Sequence, residues 1–295
     1  MPRFEPFAAL RFSASLPLDQ VAAPPYDVLS DRDIDQLLAQ HPRNIVAIDV
    51  PREADGPNRY TEAANRMQAW ISDGSLVVDA QPSFTLYRMT FTDETGTTRQ
   101  TVGVLGGLEV VDEGAGGVLP HERTTPKAKS DRLDLTRATN ANLSPVWGLS
   151  LTAGLTDLLR EPAEPVGRCV DENGVLHEVE RVTDPARVAA ISQAVASNPV
   201  LIADGHHRYA ISRTFRDEVR TGGRSDSAAE LTLTYVAELV EEQLSIDAIH
   251  RLYSGVTPDE LLAIFSESFD LSEAGVVGPA FAREVVERGA LCLVR

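Results

Sequence analysis

Apolar residues along the chain recur with two spacings, helical and alternating, and the switches between them set the expected order of elements. Ser30-Asp-Arg-Asp33 opens a helix carrying Ile34, Leu37 and Leu38, and Pro42 ends it at His41 because the residue before a proline disfavours helical backbone. A nearly unbroken apolar run predicts a buried strand over Asn44 to Val50. From about Arg59, Tyr60, Ala63, Ala64, Met67, Trp70 and Ile71 share one helical face, and Gly74 supplies a left-handed stop. Alternation from Ser83 to Phe91, a turn at Asp93-Glu-Thr-Gly96 and a return from Arg99 to Leu105 predict a hairpin.

Gly103, Gly106, Gly107, Gly114, Gly116 and Gly117 then thin out the side chains, which reads as a mobile or tightly turning lead-in, a hinge rather than a Walker-type loop. Asp131 to Asn140 reads as a helix with Arg132 and Thr136 on one face and Leu133 and Arg137 in the neighbouring row. Thr183 or Asp184 caps another helix, with Pro185 in its first turn and Val188, Ile191 and Val195 apolar, ending before Asn198-Pro199. Strands are expected at Val200 to Asp204 and Leu231 to Val240, with Leu244 to Ile249 pairing with the latter or continuing the sheet. Thr257-Pro-Asp-Glu260 starts a capped helix, and Leu291 to Arg295 reads as the beginning of a strand, so a further C-terminal portion is expected. Elements alternate without regular βαβ repetition, which predicts an α+β or irregular α/β fold with a mixed sheet and flanking helices. The division expected is an N-terminal α/β portion, 1–112, and a motif-bearing portion, 113–295, forming one continuous globular unit.

Composition narrows the classes. Of 295 residues 43% are hydrophobic, enough for a folded soluble protein with a real core. A formal charge of −17 argues against nucleic acid or an anionic membrane as partner, since both need a basic face. The absence of a long apolar run and of a secretory leader points to the cytoplasm. Cys169 and Cys292 are too isolated for a disulfide framework or a thiolate zinc site and read as ordinary buried or half-buried residues. Against the acidic background, Lys127 and Lys129, the only lysines in the chain, stand beside Arg123, Arg132 and Arg137. Chance in an arginine-biased composition, or a solvated loop, are the alternatives to a binding motif.

The most informative stretch is Val200-Leu-Ile-Ala-Asp-Gly-His-His-Arg-Tyr-Ala-Ile-Ser-Arg-Thr-Phe215, a buried-strand pattern that passes through Asp204-Gly205 into an amphipathic helix. Gly205 permits a tight turn, and the N–H groups of the first helical turn favour an anion. Ile211, Phe215 and Val219 should bury, while Arg208, Ser212 and Arg216 form a row on a different face. Asp204, His206, His207 and Arg208 are then at the mouth; a plain helix start with two solvated imidazoles is the alternative. Ala203-Asp-Gly-His-His-Arg-Tyr-Ala210 resembles the phosphate-binding turn of the ParB/sulfiredoxin-like fold, most closely in the style of the free serine kinases. The whole chain is similar to the domain-of-unknown-function 1015 family through Ala23-Pro-Pro-Tyr-Asp-Val28, Leu119-Pro-His-Glu-Arg-Thr124 and Ala138-Thr-Asn-Ala-Asn-Leu-Ser-Pro145. These resemblances imply a ParB/sulfiredoxin-like core and a nucleotide or phosphate held by Gly205, His206, His207 and Arg208. The DNA-binding role of ParB proteins is not carried over, because the chain is acidic.

Phosphoryl transfer needs charge neutralisation and positioning more than covalent chemistry. His206, His207 and Arg208 would meet one phosphate, and His121, Arg123, Thr124, Lys127, Lys129 and Arg132 would approach from the other side. Asp204 or Glu122 would serve as general base or help hold Mg²⁺. Asn142, Ser144 and Pro145 line the same pocket or form a polar turn, and Tyr26 and Asp27 position a substrate or tether the N-terminus. His250-Arg251 departs from the Pro-Thr-His-Arg-like sequence of relatives, which leaves those two residues without a role. His41 and His177, with no motif around them, read as surface or capping residues. A zinc or iron hydrolase built on His121-Glu122 and His206-His207 is disfavoured by spacing, since adjacent helical histidines point apart. No Gly-x-Ser-x-Gly elbow supports a serine nucleophile. The expected function is a kinase using ATP or ADP with Mg²⁺, with no zinc or haem, on a small hydroxylated metabolite; serine is suggested by the resemblance. A phosphatase and a nucleotide-sensing module are the alternatives. Each requires the two patches to form a single cradle.

Overall fold

The hairpin read from alternation is the spine of a nine-stranded mixed sheet. The computed structural model describes residues 1–93, 96–122, 129–224, 228–244, 253–273, 281, 285 and 288–293, with Lys129 and Ser130 as backbone only. It divides into compact units at 1–245 and 246–295. The strands are β1 Phe4–Glu5, β2 Leu10–Phe12, β3 Leu76–Val78, β4 Phe84–Thr92, β5 Thr98–Glu109, β6 Val118–Leu119, β7 Val146–Ser150, β8 Glu164–Val170, β9 Leu176–Val182, β10 Val200–Asp204 and β11 Leu231–Glu238. The helices are α1 Leu18–Val21, α2 Asp31–Gln40, α3 Val46–Asp49, α4 Arg59–Ser72, α5 Lys129–Thr139, α6 Leu155–Arg160, α7 Pro185–Ala196, α8 His206–Thr221 and α9 Pro258–Ser266. The large sheet runs β6-β10-β7-β11-β5-β4-β9-β8 with β1 beside β5, and β2 pairs with β3 separately. β6–β10 and β7–β11 are parallel and the other pairs antiparallel, so the fold is mixed as expected.

Local signals placed the helices. Ser30 and Asp33 form a reciprocal cap on α2, and Asp184 accepts from the Arg187 N–H at 2.8 Å to start α7. Gly74 stops α4 at φ +76°, and Asn140 follows α5 at φ +50°. Phe84, Leu86, Val104, Val200 and Val236 of the sheet pack with Leu155 and Leu159 of α6 and Ile191 and Val195 of α7 in one core. In the second unit, Thr257 and Glu260 cap α9, and the Phe265 ring meets Tyr253 and Phe269 edge-on. Among the described residues no helix is long and apolar enough to cross a membrane.

Three expectations give way. Asn44 to Val50 is not a strand: Val46–Asp49 forms a single buried helical turn. Asn44 decides this, accepting from the Val46 N–H at 3.2 Å while its amide donates to the carbonyls of Gln20 and Ala22. An element buried all round has no periodic signature to distinguish helix from strand. Gly103, Gly106 and Gly107 are not a hinge either but lie inside β5. A Cβ at Gly103 would fall 2.3 Å from the Tyr235 ring, and one at Gly106 would fall 2.5 Å from Phe4, so bulk from neighbouring strands fills the missing side chains. Only Gly114, Gly116 and Gly117 of the series turn with positive φ.

The third concerns the end of β11. The strand stops at Glu238, and a 3-10 turn over Glu241–Gln243 carries Gln243 back to accept from the Val102 N–H at 2.7 Å. Ser245 to Ile249 and His250-Arg251 lie outside the described residues. Leu291 to Leu293 are not strand, and Cys292 is exposed whereas Cys169 is half-buried.

Candidate functional site

β10 ends at Asp204, Gly205 turns at φ +86°, and α8 begins at His206. Arg208 folds back over this turn: a Cβ on Gly205 would stand 3.0 Å from its Nε and 3.2 Å from the Val146 Cα. Its guanidinium donates to the Pro145 carbonyl and pairs with Asp204, tying the end of β10 to the start of β7. The turn is therefore pre-set by covalent geometry and by an arginine that has little freedom left.

Beyond Arg208 opens a small cleft of 40 Å³, lined by Tyr26, Asp49, Arg132, Asn142, Arg208 and Ser212 together with apolar residues such as Leu135 and Ile211. Tyr26 belongs to a short 3-10 turn after Pro24-Pro25. The Arg132 guanidinium carbon lies 3.5 Å from the centroid of its ring, and that of Arg208 lies 5.9 Å away. Arg132 Nη1 donates to Asp49 Oδ1 at 2.9 Å, while Ser144 Oγ donates to Asp49 Oδ2 at 3.1 Å. Arg132 Nε is buried with no hydrogen-bond acceptor. Thr232 donates to Asn142 Oδ1 at 3.1 Å and exchanges a bond with Ser212 at 2.8 Å, fixing the far wall. Burial pushes the Tyr26 hydroxyl pKa up, against the pull of Arg132 and Arg208.

The other motif reaches the same turn through His121. Its backbone N–H donates to His206 Nε2 at 3.3 Å, and the two rings meet edge-on at 4.5 Å. His121 Nδ1 is 2.8 Å from the Ile202 carbonyl, which can only accept, so that nitrogen carries the proton. His206 is 5% exposed, and burial, then His121, lower its pKa against Glu122 and Asp204. With Nε2 accepting and Nδ1 3.8 Å from Glu122, His206 is a neutral buried linker between the two stretches rather than a solvated cation.

The structure thus brings His121, Glu122, Asp204, Gly205 and His206 together, and sets Arg132, Asn142 and Ser144 beside Arg208. His207 is half-buried on α8. Arg123, Thr124 and Lys127 lie outside the described residues, and Lys129 is described only as the first residue of α5. Arg216 continues the row of Arg208 and Ser212 along α8. It is 2% exposed and bonds Val110, Asp112 and Asp217, because the chain preceding β6 covers that part of α8. Asp49 was not singled out at all: it sits in a run read as apolar strand, and no spacing marks it as the partner of Arg132. Among the described residues no group of three or more His, Cys, Asp and Glu side chains is placed to hold a metal ion.

The profile of a family described as protein of unknown function (DUF1015) matches residues 4–291. No curated protein and no solved structure matches the chain.

Proposed function

The chain belongs to the DUF1015 family, and from the site itself we propose that it is a small-molecule phosphotransferase, binding nucleotide phosphate at the Asp204–Arg208 turn and its acceptor in the neighbouring cleft. One observation carries the reading: two arginines, Arg208 and Arg132, flank the Tyr26 ring at the point where a strand ends and a 16-residue helix begins. A helix start leaves its first N–H groups without intrahelical acceptors, and guanidinium groups give phosphate or carboxylate a planar, two-pronged contact. Asp204 and Pro145 hold Arg208 in place, so its orientation costs little when an anion arrives.

The acceptor suited to the cleft is small, hydroxylated and charged. Arg132 and Arg208 match an acidic group, Asp49 and Asn142 match donors, and Asp204, paired with Arg208, or Glu122 is the base that would take the hydroxyl proton as the acceptor oxygen attacks phosphorus. The resemblance of the turn to the free serine kinases makes serine the first acceptor to try. ATP or ADP would bring Mg²⁺, which needs only one or two carboxylates besides phosphate oxygens, and whichever of Asp204 and Glu122 does not act as base supplies that chemistry.

The test is a thermal-shift screen of ATP, ADP and phosphorylated metabolites with and without Mg²⁺, followed by product assays on each ligand that stabilises. Nucleotide consumption that requires a hydroxyl acceptor supports the proposal. Phosphate release without nucleotide would make the protein a phosphatase, and stabilisation without turnover would make it a sensor. Responses unchanged by Arg208→Ala would remove the site altogether.

A further inference from the structure

The His121 side chain carries an atom that the packing leaves unused. Its residue follows β6 and is fixed twice against the end of β10 and the start of α8. The backbone N–H donates to His206 Nε2 at 3.3 Å, and the ring Nδ1–H donates to the Ile202 carbonyl 2.8 Å away. With Nδ1 protonated, Nε2 of the neutral ring holds the lone pair. His121 is exposed, and among the described residues none bonds to that nitrogen. Three other histidines have no such atom. His206 Nε2 is an acceptor in a buried ring, both ring nitrogens of His177 are engaged by Tyr87 and Asp171, and His41 Nδ1 accepts from the Arg43 N–H.

Neither bond that holds His121 requires Nε2. Any residue except proline has the backbone N–H, and an asparagine amide reaches the same carbonyl. What the imidazole adds is a second nitrogen, uncharged and open, on a ring that meets the first residue of α8 edge-on at 4.5 Å. Such a nitrogen can serve as base or as nucleophile, and its neighbours favour the second. Two carboxylates are already at the turn for the base: Asp204, paired with Arg208, and Glu122, 3.8 Å from His206 Nδ1. Both repel a phosphate chain as it approaches, whereas a neutral imidazole does not. The Ile202 carbonyl dipole stabilises the positive charge that develops on the ring as Nε2 forms a bond. The ring is held before the reaction, so its orientation costs little at the moment of attack.

On the premise that the turn binds nucleotide phosphate for transfer, we propose that His121 Nε2 receives the phosphoryl group first and passes it to the acceptor from a phosphohistidine. In the first step the Nε2 lone pair attacks the terminal phosphorus. The N–P bond forms, the bond from that phosphorus to the bridging oxygen breaks, and its electron pair leaves with the shortened nucleotide. Nδ1 keeps its proton. In the second step the acceptor hydroxyl oxygen attacks phosphorus, its proton passes to Asp204 or Glu122, the N–P bond breaks, and that pair returns to Nε2. Donor and acceptor then occupy the site in turn, in keeping with a cleft of only 40 Å³ beside it.

The test gives the intact protein Mg²⁺ with ATP labelled at the γ-phosphorus or ADP labelled at the β-phosphorus, and no acceptor. Label is expected on His121, stable in alkali and lost in acid, with its position read by peptide mass spectrometry. Because the first step is reversible, labelled ADP should exchange into ATP, or labelled AMP into ADP, again without acceptor. His121→Asn keeps a donor in the place of Nδ1 and lacks Nε2, so it should take up no label and transfer at least about 10³-fold more slowly. The exchange in the unmodified protein does not depend on how that variant folds. Transfer to an acceptor such as serine with neither labelled protein nor exchange would overturn the phosphohistidine and leave the phosphotransferase standing. Label on another residue, or labelling undiminished in folded His121→Asn, would overturn it as well. No label, no exchange and no transfer with either nucleotide would overturn both the phosphohistidine and its premise.

Discussion

Arg132 lies flat against Tyr26 with 3.5 Å between its guanidinium carbon and the ring centroid, and its Nη1 reaches Asp49 at 2.9 Å. One side chain thereby joins three segments remote in sequence, α3, the Tyr26 turn and α5. The Arg132 and Asp49 side chains are 14% and 12% exposed, so removing one partner leaves a largely buried charge. Arg132→Ala is expected to cost about 3 kcal/mol in urea unfolding, at the low end for a broken buried pair, with Arg132→Lys recovering part of it. A loss within about 0.5 kcal/mol, as at ordinary surface positions, would show that the pair does not hold these segments.

Gly205 meets both demands that only glycine satisfies, a φ of +86° and a guanidinium 3.0 Å from where a Cβ would be. Gly205→Ala is expected to destabilise by about 1–2 kcal/mol through the left-handed backbone alone. It should also swing Arg208 outward, so ligand-induced thermal stabilisation ought to fall more than stability does. Equal ligand response in the alanine variant would mean Arg208 need not fold over the turn.

For Arg208, the contrast of interest is between alanine and lysine. Alanine should abolish any stabilisation by ATP or ADP, whereas lysine keeps the charge but not the two-pronged geometry and should retain only part. Thermal shifts over a nucleotide titration separate the two, and a lysine variant equal to the original protein would count against bidentate recognition.

His206 predicts a pH dependence. Burial, then His121, hold its pKa below the ordinary 6.5 when folded, so the unfolded chain binds the proton first as pH falls. Its contribution to stability is complete above the unfolded value, shrinks as pH drops from there toward the folded value, and levels off below. His206→Gln, which cannot titrate, should flatten that acid-side decline in unfolding experiments carried downward from about pH 7. An unchanged slope would place the decline on other groups.

The Gly103→Ala variant tests the sheet. Its new methyl would overlap the Tyr235 ring at 2.3 Å, and overpacking of this kind costs about 1–3 kcal/mol. Combining it with Tyr235→Leu should recover stability, read from the unfolding midpoint; additive losses would mean that the ring and the glycine are not coupled.

Much of the fold was legible because its signals are local. Ser30 with Asp33, Asp184 with Pro185, and Thr257 with Glu260 act within one turn and announce their helices directly. Alternation around Asp93 to Gly96 placed the hairpin, and Gly205 marked the strand-to-helix turn. Val46 to Asp49 failed for the opposite reason, since a segment buried on every side carries no period and its helical turn depends on Asn44 bonding to Gln20 and Ala22. The burial of Arg216 against Val110 and Asp112 had no local sign either, since a row of positions on a helix does not say what packs over it.

By itself the sequence determined the order and type of most elements and the strand-to-helix turn at Asp204-Gly205, because caps, turns and periodicity are set by neighbours a few residues apart. Tertiary structure alone decided which charged groups meet. Asp49 finds Arg132 across 83 positions and Tyr87 finds His177 across 90, pairings fixed by helix docking and strand register. The same packing made His206 a buried linker with a lowered pKa, since the protonation of an imidazole follows the solvent and dipoles around it, which no local pattern records.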